Sequence, residues 1–84
     1  MAIAQILWVD DEIESLQSQK IFLETKGYAV HTLTNGYDAI EYIQHHSVDV
    51  VLMDESMPGI TGLETLTRMK QLQQRLPIVL ITKN

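Results

Sequence analysis

Cysteine is missing from all 84 residues, so neither a disulfide framework nor a thiolate metal site can form. Basic residues are few: six against eleven acids, a net charge of −5. Lys20, Lys26, Arg68, Lys70, Arg75 and Lys83 are too dispersed to make a phosphate-binding stripe. That excludes a nucleic-acid surface. No apolar stretch approaches the roughly 20 residues needed to cross a bilayer. The N-terminus shows no basic segment and no cleavage site, and Ala2 to Val9 runs straight into acids. A soluble cytoplasmic chain is expected by default. Repeats, low-complexity tracts and linkers are also missing. With 45% hydrophobic residues and scattered charges, the chain has the composition of one small globular domain. At this size folding buries only about 60–65% of the unfolded surface, so marginal stability is expected.

What the chain does have is an alternation of short apolar runs with longer mixed segments. Ile3 to Val9 is nearly continuous and ends at Asp10-Asp11. Such a run predicts a strand buried on both faces, as in a parallel sheet. Tyr28 to Leu33 alternates more, as an outer strand would. Asp49 to Met53 is apolar after its first residue and stops at Asp54, and Pro77 to Thr82 opens with a proline suited to a strand's first position.

Three helices are predicted between these runs. Glu12 to Lys26 has Asp10 or Asp11 as N-cap and Gly27 as its stop, with Ile13, Leu16 and Leu23 on one face. Lys20 intrudes on that face and Phe22 points elsewhere. Gly36 to His46 follows an Asn-Gly turn and spaces Ala39, Ile40 and Ile43 helically, and Gly62 to Gln74 places Leu63, Leu66 and Met69 together. The order β-α-β-α-β-α-β implies a parallel α/β sheet with right-handed crossovers.

Carboxylates end the first and third strands. In open α/β sheets ligands bind at the carboxyl ends of strands where the chain order reverses. If these strands are neighbours, Asp10, Asp11 and Asp54 converge on one shallow site. Acids packed so closely repel one another, a conflict that a hard divalent cation removes. Magnesium accepts such carboxylates together with a backbone carbonyl and waters, and it is the ion that phosphoryl transfer needs. Each piece alone is ordinary. Asp-Asp-Glu before a helix is a cap, an Asp after a strand is a turn former, and Met57-Pro58-Gly59 is a turn. Their joint occurrence at one sheet edge is what points to chemistry. Two other features read as structural: His45 and His46 point about 100° apart on a helix, so they suit an exposed helix end and not a metal pair, and Trp8 suits core volume.

Ile6-Leu7-Trp8-Val9-Asp10-Asp11-Glu12, Asn35-Gly36-Tyr37-Asp38-Ala39, Val51 to Gly62 with its Asp-x-x-Met-Pro-x-x-x-Gly pattern, and Pro77-Ile78-Val79-Leu80-Ile81-Thr82 resemble the receiver domains of two-component response regulators. The resemblance covers essentially the whole chain. It implies a flavodoxin-like doubly wound parallel sheet of order 2-1-3-4 and a phosphorylation-controlled switch, not a turnover enzyme. It further implies Asp54 as phosphoacceptor, with Mg2+ held by Asp11, Asp54 and the backbone carbonyl of Ser56 directly and by Asp10 through water. Thr82 becomes the hydroxyl that senses the phosphoryl group. Met57-Pro58-Gly59 shapes the loop that aims Ser56, and Gly62 permits the tight turn into the third helix. The implied partners are a sensor histidine kinase and an output domain or partner protein. The stretches around Asp10 and Asp54 also look like regulators of the PorX type, which carry an alkaline-phosphatase-like output domain.

The family has five strands, the fifth ending in a lysine that pairs with the phosphoryl group. Residues 1–84 correspond to a partial receiver domain ending after the fourth strand, without effector domain. Two expectations follow from that reading. The fourth strand presents an uncovered apolar edge, so the fragment self-associates. Lys83, where the family has a small residue, crowds the phosphoryl site. Two other functions compete. A magnesium-dependent phosphohydrolase resembling the haloacid dehalogenase group would use Asp10 as nucleophile with Glu12 as its second acid, and a pseudo-receiver would bind partners without phosphorylation.

Overall fold

A computed structural model describes residues 2–82. Four strands form one parallel sheet: β1 (Gln5–Val9), β2 (Ala29–Leu33), β3 (Val50–Asp54) and β4 (Ile78–Ile81). Their order is β2-β1-β3-β4, as the family resemblance implies. Between them lie α1 (Gln17–Thr25), α2 (Gly36–His45) and α3 (Gly62–Leu72).

Side chains alternate across each strand, and the sheet divides the core accordingly. Leu7, Val9, Val51 and Met53 face α2 and α3, packing with Ala39, Ile43, Met57, Met69 and Leu76. Ile6 and Trp8 face the other way, against Ile13 and Val30, with Leu16 and Leu23 of the α1 segment alongside. Burial on both faces explains why β1 and β3 are nearly continuous apolar runs. β2 lies at one end of the sheet, and its exposed His31 fits its more alternating pattern. Trp8 fills core volume at 6% exposure, and its indole Nε1 has no hydrogen-bond partner among the described residues.

Three expectations need correction. The helix after β1 does not start at Glu12. A 3-10 turn at Ile13–Leu16 comes first, and neither Asp10 nor Asp11 caps it: the turn's flanking residue is Glu12, with no side-chain cap bond. The reason is local, because the Asp10 Oδ1 already accepts the Glu12 N–H at 2.8 Å, an Asx-type turn that competes with a helical start. Gly27 does end the helical segment, with φ +99° and its N–H on the Glu24 carbonyl. The second correction concerns α3. Leu63 is 60% exposed, and the inward face is Gly62, Thr65 and Met69. Thr65 sits so close to α2 that a Cβ on Gly36, at the start of that helix, would run into the Thr65 hydroxyl and Ile60. The third is minor: β1 begins at Gln5, and Ile3 stays 71% exposed with its N–H on the Gly27 carbonyl.

α2 and α3 are capped as polar N-caps demand. Asn35 accepts from the Asp38 N–H at 2.9 Å, and Thr61 accepts from the Glu64 N–H at 3.1 Å. His45 and His46 lie exposed at the end of α2, where the His46 ring stacks on Tyr42 at 4.1 Å. Among the described residues no helix is long and apolar enough to cross a membrane.

Candidate functional site at the carboxyl edge of the sheet

Parallel pairing sets the geometry of the site. β1 and β3 run side by side with Val9 opposite Met53. The next residue on each strand is an acid, Asp10 on one and Asp54 on the other. Both carboxylates therefore leave the sheet at the same edge, one register step beyond the same pair. Both residues are buried, Asp10 at 0% and Asp54 at 3% exposure.

Asp10 is held by its backbone from two sides. Its N–H continues the ladder to the Leu33 carbonyl at 3.0 Å, and its own carbonyl accepts the Ile13 N–H at 3.2 Å. The following turn leaves Asp11 and Glu12 exposed. One carboxylate oxygen from each of Asp10, Asp11 and Glu12 lies within 4.8 Å of the others, so the chain holds three hard oxygen donors together. This donor set fits a hard divalent cation. Glu12 belongs to it, a donor that the family resemblance does not assign to the ion. Its position directly after Asp11 was the available signal.

Asp54 closes β3, and its Oδ1 accepts the Ser56 N–H at 3.3 Å. The loop beyond is anchored by Met57 and Ile60, both buried, and turns at Gly59 with φ +86°. It returns to the edge at Gly62, whose N–H donates to the Glu55 carbonyl at 3.0 Å. A Cβ on Gly62 would overlap the Asp54 carbonyl oxygen, so the start of α3 is packed directly on the acid's own backbone. The expected role of Gly62 in a tight entry to the helix thus has a concrete cause.

Thr82 follows β4 and is exposed. Its hydroxyl donates to the Glu55 Oε2 at 3.5 Å. Register accounts for the meeting: Asp54 pairs with Ile81, so the next residues, Glu55 and Thr82, also stand side by side. That neighbour was not anticipated, although counting the two strands in parallel from Asp54 would have located it. Lys83 lies outside the described residues.

Fold and edge together define a class: a doubly wound α/β domain whose acids crown the carboxyl ends of its two central strands. Residues 6–84 match the model of the response regulator receiver domain, and the chain belongs to that family. It is 36% identical over 77 residues to the phosphoglycerate transport system transcriptional regulatory protein PgtA of Salmonella typhimurium, which covers 92% of this chain and 19% of that protein. It is 32% identical over 77 residues to the response regulator GtcR of Aneurinibacillus migulanus, again 92% of this chain and 31% of the relative. The chain therefore spans only about a fifth to a third of these curated relatives' length. Among solved structures, the response regulator TrrA of Thermotoga maritima, in complex with Mg2+-BeF, superposes with a TM-score of 0.88 at 34% identity, covering 95% of this chain and 70% of that one. The same regulator in complex with the histidine kinase ThkA gives a TM-score of 0.87 at 34% identity, over 95% and 69% of the two chains.

Proposed function

We propose that Asp54 accepts a phosphoryl group from a sensor histidine kinase in the cytoplasm, and that the change is passed to an output domain or partner protein. The observation that carries this reading is the register: Asp10 and Asp54 leave neighbouring strands one step beyond the Val9–Met53 pair. Two buried carboxylates at one sheet edge, with exposed Asp11 beside Asp10, suit phosphoryl chemistry and have little use in a purely structural edge.

Asp11, Asp54 and the Ser56 carbonyl would hold Mg2+ directly, with Asp10 reaching it through water. When bound, the ion supplies positive charge to the phosphoryl oxygens. The chain's own residues do the rest. Asp54 presents a carboxylate oxygen as nucleophile from a fixed strand end. The Ser56 N–H on its Oδ1 orients that carboxylate. Asp10, fixed by its bonds to Leu33, Ile13 and Glu12, fastens the loop that carries Asp11. Thr82, at the end of the neighbouring strand, offers a hydroxyl proton to a new phosphoryl oxygen. The complexes of TrrA with Mg2+-BeF and with ThkA support both the ion and the kinase for this chain.

The test is phosphoryl uptake from acetyl phosphate, followed by intact mass. Uptake should require Mg2+ and stop on addition of EDTA. Asp11→Asn should weaken Mg2+ by at least about ten-fold, the lower end of what losing even an outer-shell partner costs. Uptake that persists in EDTA would sink the metal role. Mg2+ binding without any uptake would favour the pseudo-receiver.

A second expectation concerns β4. It is an outer strand of the sheet, and Val79 is 49% exposed. An apolar outer strand is a template for pairing, and we propose that the 84-residue chain self-associates through it. Sedimentation over a wide concentration range should show mass rising with concentration. A constant monomer mass would refute this.

A further inference from the structure

We propose that Glu55 is the resting-state acceptor of the Thr82 hydroxyl and sets how readily the switch turns on. This inference rests on the reading of Asp54 as phosphoacceptor. It assigns to that site a positioning residue that competes with the phosphoryl group for one proton.

A threonine hydroxyl has one proton to donate. Here that proton goes to the Glu55 Oε2, at 3.5 Å. The backbone keeps the two residues side by side, so that their side chains are always within reach of one another. The Glu55 N–H donates to the Ile81 carbonyl at 3.0 Å, and its carbonyl accepts the Gly62 N–H at 3.0 Å. Glu55 is thus tied to the residue before Thr82 on one side and to the start of α3 on the other. Both donor and acceptor are exposed, so the bond is weak and can be exchanged.

Phosphorylating Asp54 would place a dianion one residue from Glu55. Two changes would then act in the same direction. A phosphoryl oxygen is a charged acceptor that can take the hydroxyl in a short bond, whereas the solvated Glu55 carboxylate holds it only at 3.5 Å. The Glu55 carboxylate is also repelled by the new charge. The hydroxyl would leave Glu55 and turn toward Asp54, and whatever reads Thr82 would see both the moved hydroxyl and a released Glu55. Because the two acceptors compete, removing one must strengthen the other.

The experiment measures the affinity of the intact protein for beryllofluoride in saturating Mg2+, by calorimetry. Wild type, Glu55→Ala, Glu55→Gln, Thr82→Ala and the Thr82→Ala/Glu55→Ala double variant are compared. Glu55→Ala should bind about five-fold more tightly than wild type, the lower end of usual coupling between states. Glu55→Gln, which keeps an acceptor oxygen but no charge, should fall between the two. In the Thr82→Ala background, Glu55→Ala should change the affinity by less than about two-fold, because the competition is gone. An equal gain in both backgrounds would show that Glu55 acts only through its charge, and the proposal would fall. No gain from Glu55→Ala would also overturn it. If wild type binds no beryllofluoride, or Asp54→Asn binds it equally well, the phosphoacceptor reading fails first and takes this inference with it.

Discussion

Asp54→Asn should leave the fold in place and abolish phosphoryl uptake. Asparagine has nearly the same shape, and its amide oxygen can still accept the Ser56 N–H that Asp54 Oδ1 takes at 3.3 Å. The strand ladder is unaffected, since the Glu55 N–H to Ile81 bond and the register with β4 involve only backbone. What is lost is the anionic oxygen that attacks phosphorus and one negative charge at the proposed cation site. A neutral amide cannot form the acyl phosphate at a useful rate, so uptake in acetyl phosphate and Mg2+ should drop to background. Circular dichroism and the urea midpoint report whether the fold survives. A variant that keeps taking up the group at the wild-type rate would remove Asp54 from its role.

Gly62→Ala should be costly for both fold and site. The added methyl would overlap the Asp54 carbonyl oxygen and crowd the Glu55 Cα. These atoms are backbone and cannot step aside as a flexible side chain would. Either α3 shifts outward, breaking the Gly62 N–H to Glu55 bond, or the end of β3 bends. Overpacking of this kind costs about 1–3 kcal/mol, a large share of a small domain's stability. The urea midpoint should fall accordingly, and phosphoryl uptake should fall with it wherever folded protein remains, because Asp54 moves. Gly59→Ala is the useful contrast. Among the described residues a Cβ there meets only the Tyr37 ring edge at 3.8 Å, and the penalty comes from φ +86°. An unchanged midpoint for Gly62→Ala would contradict the packing described.

Much of this was legible in the sequence, for a physical reason. Parallel strands covered on both sides need apolar residues at successive positions, so Ile6 to Val9 and Val50 to Met53 stand out without any structural knowledge. Acids directly after such runs must lie at the carboxyl edge, which located Asp10, Asp11 and Asp54. The parts that resisted reading depend on competition between local bonds or on close approach. The start of the first helix was misjudged because an Asp side chain can cap a helix or close a turn on its own chain, and Asp10 does the second. The buried face of α3 is legible only in part: hydrophobic spacing finds Met69, which is buried, and Leu66, which is half-buried, but it also points to Leu63, which faces out. The actual contacts at the top of α3 are so tight that Gly62 and Thr65 must supply them. The partnership of Glu55 with Thr82 is a matter of register between distant segments, which no single stretch displays.

The most direct test of the central claim is to locate the acceptor chemically. The protein is incubated with acetyl phosphate and Mg2+, treated with borohydride and digested, and each peptide is sequenced by tandem mass spectrometry. An aspartyl phosphate is an acyl phosphate, which borohydride reduces to homoserine while free carboxylates are untouched. Homoserine at position 54, and nowhere else, is the expected result. Homoserine at position 10 instead would move the nucleophile to the first strand and favour the phosphohydrolase.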